Sequence, residues 1–92
     1  MIRSFRDPET QRIYEGKRSR KWANIQRVIE RKLAMLDAAT SLGDLRSPPA
    51  NKLEALVGNR RGQHSIRVND QFRVCFRWTD HGPEDVEVVD YH

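Results

Sequence analysis

Between His64 and Trp78 the chain alternates. Phe72, Val74, Phe76 and Trp78 fall on one face of an extended strand, and Arg73, Cys75 and Arg77 on the other. That period of two is the signature of a sheet covered on one side only. The preceding run repeats it, with Ile66 and Val68 on the core side and Ser65 and Arg67 opposite. Asn69-Asp70, between the runs, suits a two-residue hairpin turn that needs positive φ. Thr79-Asp80-His81-Gly82-Pro83 marks a second turn, and Val86-Glu87-Val88-Val89 a closing strand.

Upstream the period changes. Ile25, Val28, Ile29, Leu33, Leu36 and Ala39 recur at helical steps, with Arg27, Glu30, Arg31 and Asp37 on the other faces. This predicts a long helix from about Asn24 that ends before Gly43. A shorter helix is predicted ahead of it, where Asp7-Pro8-Glu9 supplies an N-cap acid, a first-position proline and a first-turn acid. That helix would turn Ile13 and Tyr14 inward and stop at Gly16. Met1-Ile2-Arg3-Ser4-Phe5 reads as a short opening strand. Arg46-Ser47-Pro48-Pro49-Ala50-Asn51 reads as a loop, because consecutive prolines fit neither a helix interior nor a central strand. Lys52–Val57 is read as a strand entering the sheet. The order of elements predicts one α+β domain over residues 1–92, with helices on one face of a mostly antiparallel sheet.

Composition narrows the picture. A chain of 92 residues with 37% apolar and 33% charged side chains can build one modest core. The net charge of +4 and pI near 9.7 favour anionic partners. The charge is also polarised: residues 1–32 hold ten Lys/Arg against four Asp/Glu, and residues 79–92 hold five acids and no Lys/Arg. The lone Cys75 cannot form an internal disulfide, which points to a reducing compartment. No apolar run approaches the ~18 residues of a membrane span, and Met1-Ile2-Arg3 does not open a signal peptide. A cytoplasmic protein is expected.

Three stretches carry candidate chemistry. Lys17-Arg18-Ser19-Arg20-Lys21 suits phosphate contact, an acidic protein partner or a solvated linker, and the sequence leaves all three open. The sheet face bearing Arg67, Arg73 and Arg77, bordered by Arg60 and Arg61, would attract a phosphate backbone, or would pair with Glu87 across the ladder. Gly58-Asn59-Arg60-Arg61-Gly62 has the composition of a phosphate-gripping loop. The ending Asp90-Tyr91-His92 fits RNA cleavage. That reaction needs the 2′-hydroxyl deprotonated, the pentavalent phosphate stabilised and the leaving 5′-oxygen protonated. A histidine of pKa ~6.5 does the first or third job, and an arginine does the second. Tyrosine can stack on a base or donate a proton, and aspartate can orient the imidazole. No metal or other cofactor is called for. Asp80, His81, Glu84 and Asp85 lie in a turn without ligand spacing. His64 and Ser65, adjacent in a strand, point to opposite faces and cannot form a nucleophile–base pair.

Arg46-Ser47-Pro48-Pro49, Asn51-Lys52-Leu53-Glu54-Ala55-Leu56, the run from Gly62 to Phe76 and the ending Val89-Asp90-Tyr91-His92 resemble the HigB toxins of the RelE/ParE superfamily. The likeness is nearest to the GraT-like branch, and also covers Met1–Phe5 and Lys32–Thr40. The resemblance implies a RelE-like fold, in which an N-terminal strand and two helices pack on a sheet of roughly four to five strands. It implies the toxin of a type II toxin–antitoxin pair, a ribosome-dependent endonuclease that cuts mRNA in the A site without a metal. The implied partners are a HigA-like helix-turn-helix antitoxin, the 70S ribosome with its mRNA, and operator DNA only through the antitoxin, with no membrane. Carried onto this chain, Arg73 would stabilise the phosphate, His92 would move the proton with Asp90 in support, and Tyr91 would position the nucleotide.

The sequence departs from the family pattern at Val57, where HigB proteins often carry a lysine, and at Gln63-His64, where an aromatic pair is common. A lost cation removes roughly a few kcal/mol of charge stabilisation unless Arg60 or Arg61 replaces it. His64 is the candidate second proton carrier. The resemblance thus implies an active but slow nuclease. Two other readings stand beside it. One is a binding protein whose basic surface blocks the ribosome or RNA without cleavage, and the other is a ParE-like inhibitor of DNA gyrase.

Overall fold

Asp7 starts the first helix. In the computed structural model, which describes residues 1–91, its carboxylate accepts hydrogen bonds from the backbone of Glu9 and Thr10, and Pro8 takes the first position of α1, Pro8–Tyr14. The second helix, α2, Gln26–Ala38, follows a 3₁₀ turn at Ala23–Ile25 and ends as Ala39 becomes extended. It buries Ile29, Leu33 and Leu36 completely or nearly so, as the periodicity predicts. It also buries Lys32, an ammonium on the apolar stripe.

The strands are β1, Glu54–Ala55; β2, His64–Arg67; β3, Phe72–Thr79; and β4, Gly82–Asp90. They form one sheet in the order β1-β2-β3-β4, every neighbouring pair antiparallel. Ile66, Val74, Phe76, Val86 and Val88 face the helices and form the core with Ile13, Trp22, Ile29, Leu33, Leu36 and Leu45. Truncating a central member such as Phe76 to alanine costs about 3–5 kcal/mol in a core of this kind. The architecture is the expected α+β layer with both helices on one face. No helix among the described residues is long and apolar enough to cross a membrane.

Four local expectations are corrected. The opening segment forms no strand. It runs beside β4, linked by Arg3 N–H to Pro83 O, Val86 N–H to Ser4 O and Arg6 N–H to Val86 O, with one parallel bridge at Phe5–Val86. Asp85, at φ 54, interrupts the edge against which a longer ladder would form. The hairpin is not a two-residue turn, and neither Asn69 nor Asp70 has positive φ. Instead the Asn69 side chain accepts from the N–H groups of Gln71 and Phe72, each at 2.8 Å, and Val68 N–H and Asn69 N–H both reach Phe72 O. The carboxamide substitutes for the main chain that a primed turn would have used. Tyr14 faces outward, its hydroxyl donating to Asp37 Oδ1 at 2.9 Å. Of Lys52–Val57, only Glu54–Ala55 is strand.

Candidate functional site

The face of the sheet away from the helices is built by the alternation of β3. Register pairs Arg67 with Arg73 and Ser65 with Cys75 across β2, and Arg73 with Val89 and Cys75 with Glu87 across β4. Two guanidinium groups thus stand opposite each other, an arrangement that costs energy unless each is separately satisfied.

They are satisfied differently. Arg67 pairs with Asp70 at the hairpin tip. Arg73 is held by neutral groups: Nε donates to Ser65 Oγ at 2.7 Å, and Nη2 donates to the carbonyls of Ser65 and Lys52. Among the described residues no carboxylate pairs with Arg73, and its Nη1 makes no hydrogen bond. Its full charge is fixed in direction and open to an anion. The ring of Tyr91 lies 5.7 Å from the guanidinium carbon, in cation–π range.

The other basic residues divide. Arg60 is spent on Glu87, at 3.4 Å, and Gln63, at 3.1 Å. Arg6 reaches the same Glu87 carboxylate at 3.5 Å. Arg77 lies 4.0 Å from Asp85 and packs over Gly62, where a Cβ would come within 2.8 Å of its Nη1. Arg61 is exposed, and Val57 is 84% exposed. Of the two alternatives for the arginine face, ion pairing with Glu87 is made by Arg60; Arg77 meets Asp85 instead, and Arg73 has no carboxylate partner among the described residues.

Asp90 and Tyr91 part company. Asp90 is in register with Phe72, on the helix-side face, and its carboxylate accepts from Gln71 Nε2 at 3.0 Å. Tyr91 follows on the Arg73 side, its N–H bonded to Gln71 O at 2.6 Å. His92 lies outside the described residues. His64 sits apart from the arginines, in register with Phe76 and stacked on its ring at 6.3 Å. Its Nδ1 is buried with no hydrogen-bond partner among the described residues.

Lys17, Arg18, Arg20 and Lys21 form an exposed basic segment on the helix side. It is not a loose linker. Ser19 is buried, its N–H donating to Gln26 Oε1 at 2.8 Å and its hydroxyl accepting from Trp22 N–H at 3.1 Å. Lys21 lies over the buried Trp22 ring at 4.9 Å, and the segment joins Glu9 and Arg12 around an open depression of about 640 Å³.

Cys75 is fully buried although it faces the arginine side. Burial pushes its thiol up to about 11, against opposing pulls from Arg60 and Arg73. Such a thiol is a poor nucleophile. Among the described residues no group of His, Cys, Asp and Glu is gathered in a way that could hold a metal ion.

Sequence reasoning missed Ser65 and the Lys52 carbonyl as the holders of Arg73. Ser65 was findable, since alternation already placed it on the arginine face. The carbonyl carried no sequence signal.

Known proteins resemble this chain in sequence and in fold. Residues 3–92 match the family described as RelE-like toxin of type II toxin–antitoxin system HigB. Toxin HigB-1 of Vibrio cholerae is 42% identical over 82 residues, covering 87% of this chain and 86% of that protein. An uncharacterized protein of Haemophilus influenzae is 41% identical over 76 residues, covering 80% and 75%. Among solved structures, a chain of the YoeB–YefM complex from Staphylococcus aureus superposes with a TM-score of 0.63 at 18% identity, covering 100% of this chain and 98% of that one. At that identity the likeness concerns the fold.

Proposed function

The chain belongs to the HigB family of RelE-like toxins of type II toxin–antitoxin systems, and on that premise we propose that it cleaves messenger RNA in the ribosomal A site by metal-independent acid–base chemistry. The observation that carries the reading is the state of Arg73, aimed by Ser65 and a backbone carbonyl and unpaired with any described carboxylate. A scissile phosphate supplies the negative charge this site lacks. Charge stabilisation of the developing phosphorane through the free Nη1 is work that a fixed guanidinium can do.

Tyr91 lies against the same guanidinium and offers a ring on which a nucleobase can stack. His92 moves the proton at the 2′-hydroxyl or the 5′-oxygen, and Asp90, anchored by Gln71, supports it. With Val57 in place of a cation and Arg60 engaged by Glu87, the phosphate has fewer positive neighbours than the family pattern provides, and cleavage is slow. Arg61, Arg67 and Arg77 guide the RNA strand. Lys17, Arg18, Arg20 and Lys21 contact ribosomal RNA. A HigA-like helix-turn-helix antitoxin neutralises the toxin and couples it to operator DNA, and the site of action is the cytoplasm.

Primer extension on a translated message tests the reading. Cuts inside codons that require ribosomes, and that disappear in the R73A variant, are expected. Arrested translation with intact message would replace it with the non-cleaving reading.

A further inference from the structure

Lys32 lies in α2 among apolar neighbours and is only 6% exposed. Its Nζ donates to Asn51 Oδ1 at 2.5 Å, and no carboxylate among the described residues pairs with it. Burial, with the nearby charges of Arg31 and Arg67, holds its pKa below the usual lysine value. For folding alone, apolar side chains replacing Lys32 and Asn51 together would serve as well or better.

What the ammonium does locally is determined by its chemistry. Lysine has donors only, so it keeps the carboxamide oxygen of Asn51 on its own side and the NH₂ group on the other. That NH₂ donates to Leu45 O at 3.2 Å and Ser47 O at 3.4 Å, drawing the loop before Asn51 around a fully buried side chain. The next residue, Lys52, adopts the left-handed conformation at φ 45 and ψ 55, which brings its carbonyl onto Arg73 Nη2. Two hydrogen bonds, joined by the backbone turn from Asn51 to Lys52, therefore link a buried ammonium under the sheet to the half-buried Arg73 on its far face.

We propose that Lys32 and Asn51 are positioning residues for Arg73, their buried hydrogen bond fixing the turn that presents the Lys52 carbonyl and so the direction in which Arg73 meets a phosphate. The proposal rests on the reading of Arg73 as the phosphate-contacting residue. Ser65 fixes the guanidinium at Nε and the Lys52 carbonyl fixes it at Nη2, leaving Nη1 for the anion. With the second anchor displaced, the side chain swings about the first and keeps its charge while losing its aim.

The test is a double-mutant cycle on single-turnover cleavage of a programmed ribosome, with urea unfolding of each free variant. Lys32→Met and Asn51→Ala each lower the cleavage rate by about ten- to a hundredfold, the cost of misplacing a reacting group, and leave the apparent ribosome KM unchanged. In an R73A background neither lowers the residual rate further, because groups that act through one another do not add. Lys32→Met lowers the urea midpoint, because it leaves the buried Asn51 Oδ1 unpaired, so cleavage is compared in denaturant-free buffer where the urea curve shows each variant fully folded, which separates loss of aim from loss of fold. Where Asn51→Ala fails to fold, Lys32→Met carries the cycle alone. Wild-type cleavage by the single variants, or the same fold-loss with and without Arg73, overturns the positioning role while leaving the nuclease reading intact. Wild-type cleavage by R73A overturns both.

Discussion

The ring of Tyr91 lies 5.7 Å from the guanidinium carbon of Arg73, while Asp90, one residue earlier, faces the other side of the sheet and bonds Gln71. The ring limits the arginine from one side, and on the proposed reading it also offers a stacking surface to a base. Tyr91→Phe should keep cleavage within about twofold of wild type, since the ring–cation contact survives. Tyr91→Ala should lower it by roughly ten- to a hundredfold, the usual loss when a stacking platform is removed. Single-turnover cleavage of the pair decides the matter, and equal losses would assign the work to the hydroxyl.

Arg73 itself separates charge from geometry. Arg73→Ala should lower cleavage by roughly 10²–10³-fold, the loss expected for a transition-state donor. Arg73→Lys keeps the charge but cannot bond Ser65 and a phosphate with a planar fork, so only a minor part of the rate should return. Primer extension with a time course measures both.

Val57 stands where the proposed reading would place a cation. It is 84% exposed and precedes the 3₁₀ turn Gly58–Arg60. Val57→Lys should raise the cleavage rate by roughly tenfold and change stability by less than about 0.5 kcal/mol, as surface substitutions do. An unchanged rate would mean that another group, Arg61 foremost, already supplies the charge.

Cys75 makes stability depend on alkaline pH. Its thiol, raised from 9.0 to about 11 by burial, keeps its proton in the folded chain where the unfolded chain loses it. The unfolded state binds fewer protons across that range, so the stabilisation is complete below pH 9.0 and lost as pH rises through about 11. The loss amounts to roughly 2–3 kcal/mol and should be absent from Cys75→Ala when urea midpoints are followed from pH 8 upward. Native protein at neutral pH should also react with thiol reagents only as fast as it opens.

Much of this was legible in the residues. Asp7-Pro8-Glu9 announced a helix start with local chemistry that no tertiary contact has to override. The stripe from Ile25 to Leu36 marked the core face of α2, and the alternation in β3 divided aromatic floor from arginine roof. Other features depended on partners distant in sequence. Asn69-Asp70 suggested a primed turn, but an asparagine side chain can itself cap the returning strand, and that choice leaves no trace in the dipeptide. Tyr14 fell on the inward pattern and turned out because Asp37 offers its hydroxyl an acceptor. The burial of Lys32 was not read from the sequence, since its partner Asn51 lies nineteen residues away.

The two sides of β3 have one more consequence, for the freedom of this protein to change. Val74 and Phe76 answer to the helices and tolerate little, whereas Arg73 and Arg77, one step away along the same backbone, answer to whatever lies outside. Substitutions on the charged side can therefore be made without renegotiating the interior. The charged face can change while the scaffold that delivers Arg73 stays the same.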